Sequence, residues 1–189
     1  VGLASRPAFI PVAGNVGFFG MRFLPGKIRQ FLRLPTQGLY DKSWSLREFV
    51  GSELDAVEDA LLQAESFRQR IEIAESALLR LLERNEFEED PRYLGAVDRI
   101  YQSRGKVDVT NLANTQGISD RHLRRLFDET LGLSPKKLAR VVRFQVALNR
   151  LQGGNVPSLL GLALELGYYD QSHFIHDFKE LYGRTPSFM

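Results

Sequence analysis

The chain has 189 residues and a mass of 21.5 kDa, enough for one large domain or two small ones. Its 43% hydrophobic and 25% charged residues are ordinary for a globular protein, no run approaches the roughly 18 apolar residues of a membrane span, and the lack of cysteine excludes disulfides, thiolate metal sites and thiol nucleophiles together. The net charge of +2 is uneven: residues 91–189 carry 14 Lys and Arg against 9 Asp and Glu, and residues 1–90 carry 11 against 14, so the C-terminal half is the one that suggests an anionic partner.

Residues 1–20, with Pro7, Pro11, Gly14, Gly17 and Gly20, do not read as a signal peptide, and a start at Val1 reads as a piece of something longer. Residues 1–40 read as β and turn. Val16 to Phe23 is rich in strand formers and runs into Pro25-Gly26, a turn signal. Forty residues cannot close a barrel or a sandwich, so a short β remnant packed on the rest is expected.

Residues 45–84 read as helices. Ser45 with Glu48 forms a capping-box pattern, and Ser66 precedes Phe67, Ile71, Ala74, Leu78 and Leu81, one apolar helix face. Asn85 to Pro91, with Glu86, Glu88, Glu89 and Asp90, is an acidic break and the best linker candidate. It divides the chain into 1–88, a partial companion domain, and 89–189. A further helix spans 91–102, with Leu94, Val97, Ile100 and Tyr101 inward, and Gly105 ends it.

An internal repeat follows. Leu112-Ala113, Gly117, Ser119, Leu123, Phe127, Gly132 and Ser134-Pro135 recur as Leu162-Ala163, Gly167, Asp170, Phe174, Phe178, Gly183 and Thr185-Pro186. The offset is 50 up to the glycine and 51 after it, with one residue inserted at Tyr168-Tyr169. In each unit a short helix carries a Leu-Ala pair, a glycine leaves it, and Ser119 or Asp170 caps the next helix. A second glycine ends that helix, and a capping residue before Pro opens another. Two such helices on a glycine turn form a helix-turn-helix, and the chain holds two. Pro135 to Leu151, between them, is helical without a break and spans about 25 Å.

Residues 91–189 resemble the C-terminal DNA-binding domain of AraC/XylS-type transcription regulators. The match is carried by Ile118-Ser-Asp-Arg-His-Leu-Arg-Arg-Leu-Phe127, Gly132-Leu-Ser-Pro135, Arg143-Phe144 with Ala147-Leu148, Gly167-Tyr-Tyr-Asp-Gln-Ser-His-Phe174 through Phe178-Lys179, and Gly183-Arg-Thr-Pro186. The resemblance implies a mainly α chain. Its C-terminal part would be a seven-helix domain with two helix-turn-helix units on a linking helix, preceded by helices and the β remnant. It implies binding of double-stranded DNA by two recognition helices in successive major grooves. It also implies a small-molecule effector for the incomplete N-terminal domain, a homodimer, RNA polymerase as a further partner, and a cytoplasmic location.

Family positions that touch DNA fall on Arg121, Arg124 and Arg125, where arginine can pair with guanine edges; a solvated basic face is the alternative. In the second helix Gln171, Ser172, Ile175 and His176 read as outward, with Gln suited to adenine and Ile to a thymine methyl. His176 stands where arginine is common in the family, so the second unit is expected to bind more weakly. Lys136 and Lys137 at a helix start, and Arg184 after the second recognition helix, are phosphate candidates or plain solvated cations. Arg143 matches a recurrent family arginine that either contacts phosphate or braces the two units.

His173 and His176 are three residues apart, but only Asp177 stands beside them, so His173 reads as a packed residue and no metal is expected. No Gly-x-Ser-x-Gly, phosphate-binding loop or dinucleotide fingerprint occurs. The alkyl-transfer repair proteins that carry this DNA-binding domain need acceptor cysteines, which are missing here. Neither an enzyme nor a cofactor is expected. The competing reading is an interaction module that keeps the helix-turn-helix core for folding and pairs subunits through residues 45–84.

Overall fold

The computed structural model describes residues 11–24, 27–32, 44–85, 88–154 and 156–186. Among them nine α-helices account for the regular structure, with a 3-10 turn at Lys27–Gln30 and no strand. Residues 16–23, expected to be a strand, are irregular. A strand needs a neighbouring ladder for its backbone groups, and among the described residues none lies alongside. Its aromatics pack on helices and turns instead: Phe19 meets Phe67 at 5.8 Å and Phe23 meets Phe31 at 5.2 Å. The Pro25-Gly26 turn lies outside the described residues.

Helices α1 (Arg47–Val50), α2 (Glu53–Gln63) and α3 (Phe67–Arg84) follow. Half of the expected capping box forms, with the Ser45 N–H donating to Glu48 Oε1 at 3.3 Å. Ser66 caps α3 by accepting from the Gln69 N–H at 3.1 Å. α2 and α3 pack side by side and are cross-linked at the surface by an Arg84–Glu53 ion pair. Their apolar face is thinly covered: Ala74 is the only buried residue of α3, while Phe67 is 65% exposed.

The remaining six helices, α4 (Pro91–Gln102), α5 (Val109–Thr115), α6 (Asp120–Leu131), α7 (Pro135–Gln152), α8 (Leu159–Glu165) and α9 (Gln171–Tyr182), form the C-terminal part. The seventh helix expected after Thr185-Pro186 falls on residues outside the described set. Each start is capped by the side chain of the residue before it, Asp90, Asp108, Ser119, Ser134, Ser158 and Asp170 in turn. Each cap satisfies one backbone N–H that the first turn leaves without a partner.

Two apolar cores sit on either side of α7. The first gathers Tyr93, Ala96, Val97 and Ile100 from α4, Leu112 and Ala113 from α5, Leu123 and Phe127 from α6, and Leu138, Ala139 and Val142 from α7. The Tyr93 and Phe127 rings meet edge to face at 5.1 Å, a geometry that aromatic pairs favour. Burial pushes the Tyr93 hydroxyl far above its ordinary pKa. Tyr93 and Ala96 lie outside the face read from sequence, which held Leu94 and Tyr101; those two are only partly buried. The second core holds Ala147 from α7, Leu162 and Ala163 from α8, Leu166 and Tyr168 from the turn, and Phe174 and Phe178 from α9. The same 18-residue helix, about 27 Å long, thus feeds its first half to one unit and its second half to the other.

An N-terminal strap crosses onto this part. Lys27 Nζ lies 2.8 Å from Glu89 Oε2, whose side chain is 1% exposed, and Asn85 Nδ2 donates to the Phe31 carbonyl at 2.6 Å. Arg29 reaches the Glu129 carbonyl near the end of α6 at 3.4 Å. Leu32, the last residue of the strap, is buried.

Candidate nucleic-acid interface

In α6 the 3.6-residue period sorts the side chains cleanly. Leu123, Leu126, Phe127 and Leu131 are buried, and Arg121, Arg124, Arg125 and Asp128 are exposed on the opposite side. The helix start is fixed by Ser119, which accepts from the His122 N–H at 3.2 Å. Arg124 leans back on Asp120, with Nη2 at 2.9 Å from Oδ2, and Arg125 lies 3.9 Å from Glu129. Exposed pairs of this spacing contribute about 0.3–0.5 kcal/mol, so an incoming phosphate or guanine can take either guanidinium at small cost.

In α9 the sorting is less clean. Ser172 and His176 are exposed, Gln171 is half-buried, and Ile175 is half-buried against the second core rather than outward as expected. That partial burial leaves less of its side chain to offer a groove. His173, expected to be packed, is exposed, with its ring edge-on to Tyr168 at 5.2 Å. The residue missed in this stretch is Tyr169, 88% exposed immediately before the cap of α9. The one-residue insertion in the repeat marks the place.

The linking helix contributes two kinds of cation. Lys136 and Lys137 are exposed in its first turn, beside the Ser134 cap. Arg143 lies inside: its Cζ sits 4.8 Å from the centroid of the Tyr168 ring, and its Nε is buried without a hydrogen bond. Arg184 is exposed after α9.

A charged cluster on the inner side of α9 was not read from sequence. Arg140 Nε donates to Asp177 Oδ1 at 2.9 Å, and its Nη1 and Nη2 donate to the two carboxylate oxygens of Glu180 at 3.1 and 2.5 Å. Asp177 is buried, with its side chain 10% exposed. The Arg140 guanidinium holds the Glu180 carboxyl below its usual range, and burial together with Asp177 pushes the Tyr168 hydroxyl up to about 12. His176, Asp177 and Glu180 bring ligand-type atoms within 4.8 Å of one another, but Arg140 already supplies the positive charge there. The units are further joined by Lys106 Nζ donating to the Glu165 carbonyl at 2.9 Å and by Arg104 Nη1, 3.8 Å from Glu165 Oε1.

Residues 112–189 match a family model described as a helix-turn-helix domain. Over 88 residues the chain is 32% identical to an uncharacterised HTH-type transcriptional regulator of Haemophilus influenzae, covering 47% of this chain and 29% of that protein. Over 129 residues it is 32% identical to the HTH-type transcriptional regulator GlxA of Rhizobium meliloti, covering 68% of this chain and 35% of GlxA. The chain thus spans about a third of the length of these relatives. A crystal structure of a probable AraC family transcriptional regulator from Rhodopseudomonas palustris superposes with a TM-score of 0.48 at 28% identity, covering 52% of this chain and 93% of that one.

Proposed function

We propose that residues 112–189, which match a helix-turn-helix family model, form a DNA-binding domain of the AraC type and that the chain is part of a sequence-specific transcription regulator. The observation that carries this is α6. Every large apolar side chain on it is buried, and its opposite face shows three arginines beside a capped helix start. A helix presented this way fits the major groove, where Arg121, Arg124 and Arg125 meet guanine edges. α9 enters the next groove with Gln171, Ser172 and His176, and with the exposed edge of Ile175. Lys136, Lys137 and Arg184 hold phosphates and set the register, while base contacts specify the sequence.

In this proposal the chain divides near residue 88 into a companion part and a DNA-binding part. It acts without catalysis, in the cytoplasm, and no helix among the described residues is long and apolar enough to cross a membrane. An effector bound through the companion part, a second copy of the chain and RNA polymerase complete the set of partners. The exposed Leu62, Phe67 and Leu79 of α2 and α3 are the surface on which two copies would pair.

The test is selection of the chain against a pool of random duplex DNA at about 0.15 M salt, close to physiological ionic strength. The expected result is a motif of two short blocks about 10 base pairs apart, with affinity falling steeply as salt rises. Binding without enrichment, or affinity indifferent to salt, refutes it. Indifference to salt together with concentration-dependent self-association favours the interaction-module reading.

A further inference from the structure

We propose that Arg140 is the positioning residue that fixes how the second recognition helix is presented to DNA; this rests on the function proposed above. The two units hold their recognition helices by different chemistry. In the first, the inner face of α6 at the repeat-equivalent position is Leu126, buried among apolar side chains. In the second, that position is Asp177, also buried, and the contact across to α7 is made by one guanidinium.

The geometry makes this contact directional. Arg140 engages Asp177 with Nε at 2.9 Å and Glu180 with both terminal nitrogens, at 3.1 and 2.5 Å. Asp177 and Glu180 are three residues apart, so they stack along one face of α9. A planar fork that engages both carboxylates fixes the rotation of α9 about its axis and its slide along α7, which apolar contact alone leaves softer. Around it, the Tyr168 ring meets Phe174 of α9 edge to face at 5.3 Å, and Arg143 lies over the Tyr168 ring at 4.8 Å. The α7 helix therefore grips α9 at two points one turn apart, Arg140 directly and Arg143 through Tyr168.

Arg140 is three-quarters buried against α9, while Ser172 is exposed and His176 borders the half-exposed Glu180 end of the clasp. In this proposal Arg140 acts through the helix it holds. Loss of Arg140 would leave Asp177 buried without its cation, a strongly unfavourable state that the helix relieves by rolling outward.

The test uses the full chain as the parent, Arg140→Met, Arg140→Lys, and the double variant Arg140→Met with Asp177→Leu, which copies the apolar contact of the first unit. Selected DNA and amide hydrogen exchange are both read. With Arg140→Met, enrichment of the second block is expected to vanish while the first remains, with affinity for the two-block site down at least about tenfold. Exchange in α9 should quicken while that of α4–α6 holds, which separates a loosened helix from a failed fold. Arg140→Lys, with a point charge in place of a fork, should fall between. The double variant should restore slow exchange in α9. An unchanged second block with unchanged α9 exchange in Arg140→Met overturns the inference, and so does equal loosening of both units. If the parent itself selects no motif, the DNA-binding proposal fails, and the exchange pattern alone decides whether Arg140 holds α9.

Discussion

Gly105 packs closely against the linking helix, and replacing it with alanine separates two physical effects. It is buried with φ at +79°, in the turn that leaves α4. A Cβ there would fall well inside contact distance of the Ala139 carbonyl oxygen and 2.6 Å from Arg143 Cγ. Two costs therefore add. Left-handed backbone at a non-glycine residue costs about 1–2 kcal/mol. Overlap with α7 backbone, which cannot rotate away as a side-chain tip can, adds about 1–3 kcal/mol. The expected destabilisation of Gly105→Ala is thus about 2–5 kcal/mol. Gly154 supplies the control, because its φ is +68° and nothing lies within 4 Å of its Cβ position. Gly154→Ala should lose only the backbone share, about 1–2 kcal/mol. Urea unfolding of the two variants beside the parent, at matched m-values, measures both losses. Equal losses would mean that the close approach to α7 does not contribute and would refute the reasoning.

Phe127→Ala removes a fully buried ring that faces Tyr93 and should cost about 3–5 kcal/mol by the same assay, whereas Phe67→Ala on the exposed side of α3 should stay within about 0.5 kcal/mol. Asp90 caps α4, and its hydrogen bonds to Arg92 lower its pKa from 3.8 to about 2. A lowered folded-state pKa stabilises above the unfolded value, so the advantage of the parent over Asp90→Asn should be complete above about pH 4 and vanish as pH falls through 2. A gap between the two that persists at the acid end, in thermal melts across this window, counts against it. Arg125→Ala should weaken binding to the selected site by about 1–3 kcal/mol and relax preference at one base pair, while Lys136→Ala should weaken all sequences alike and lower the salt slope by about one. Fluorescence anisotropy over a salt series separates the two.

Much of the helical part was legible because its signals are local. Ser66, Ser119, Ser134 and Asp170 each stand before an apolar period, and each caps the helix that follows. The repeat located both Leu-Ala pairs, and Leu112, Ala113, Leu162 and Ala163 are all buried. What failed depended on neighbours distant in sequence. Val16 to Phe23 has the residues of a strand, but composition cannot report whether a partner strand lies alongside. Ile175 occupies an outward step of the period, yet a core with only α8, α9 and half of α7 around it draws it partly inward. Arg140 and Asp177 are 37 residues apart, and each alone looks like an ordinary helical charge. The hint was an aspartate between Phe174 and Phe178, at the position where the first repeat has Leu126.

The strap at residues 27–32 has a consequence for the newborn chain. Its resting place is built from residues made much later: Glu89 lies 62 residues beyond Lys27, and Glu129 lies 100 beyond Arg29. A ribosome adding about 5–20 residues per second needs about 5–20 s to cover that last distance. For that interval Arg29 lacks the Glu129 carbonyl it reaches in the fold, and for about 3–12 s of it Lys27 also lacks Glu89. The strap therefore waits for residues made long after it before it can dock. It closes only after α6 has left the ribosome, as one of the last steps in assembling the first unit.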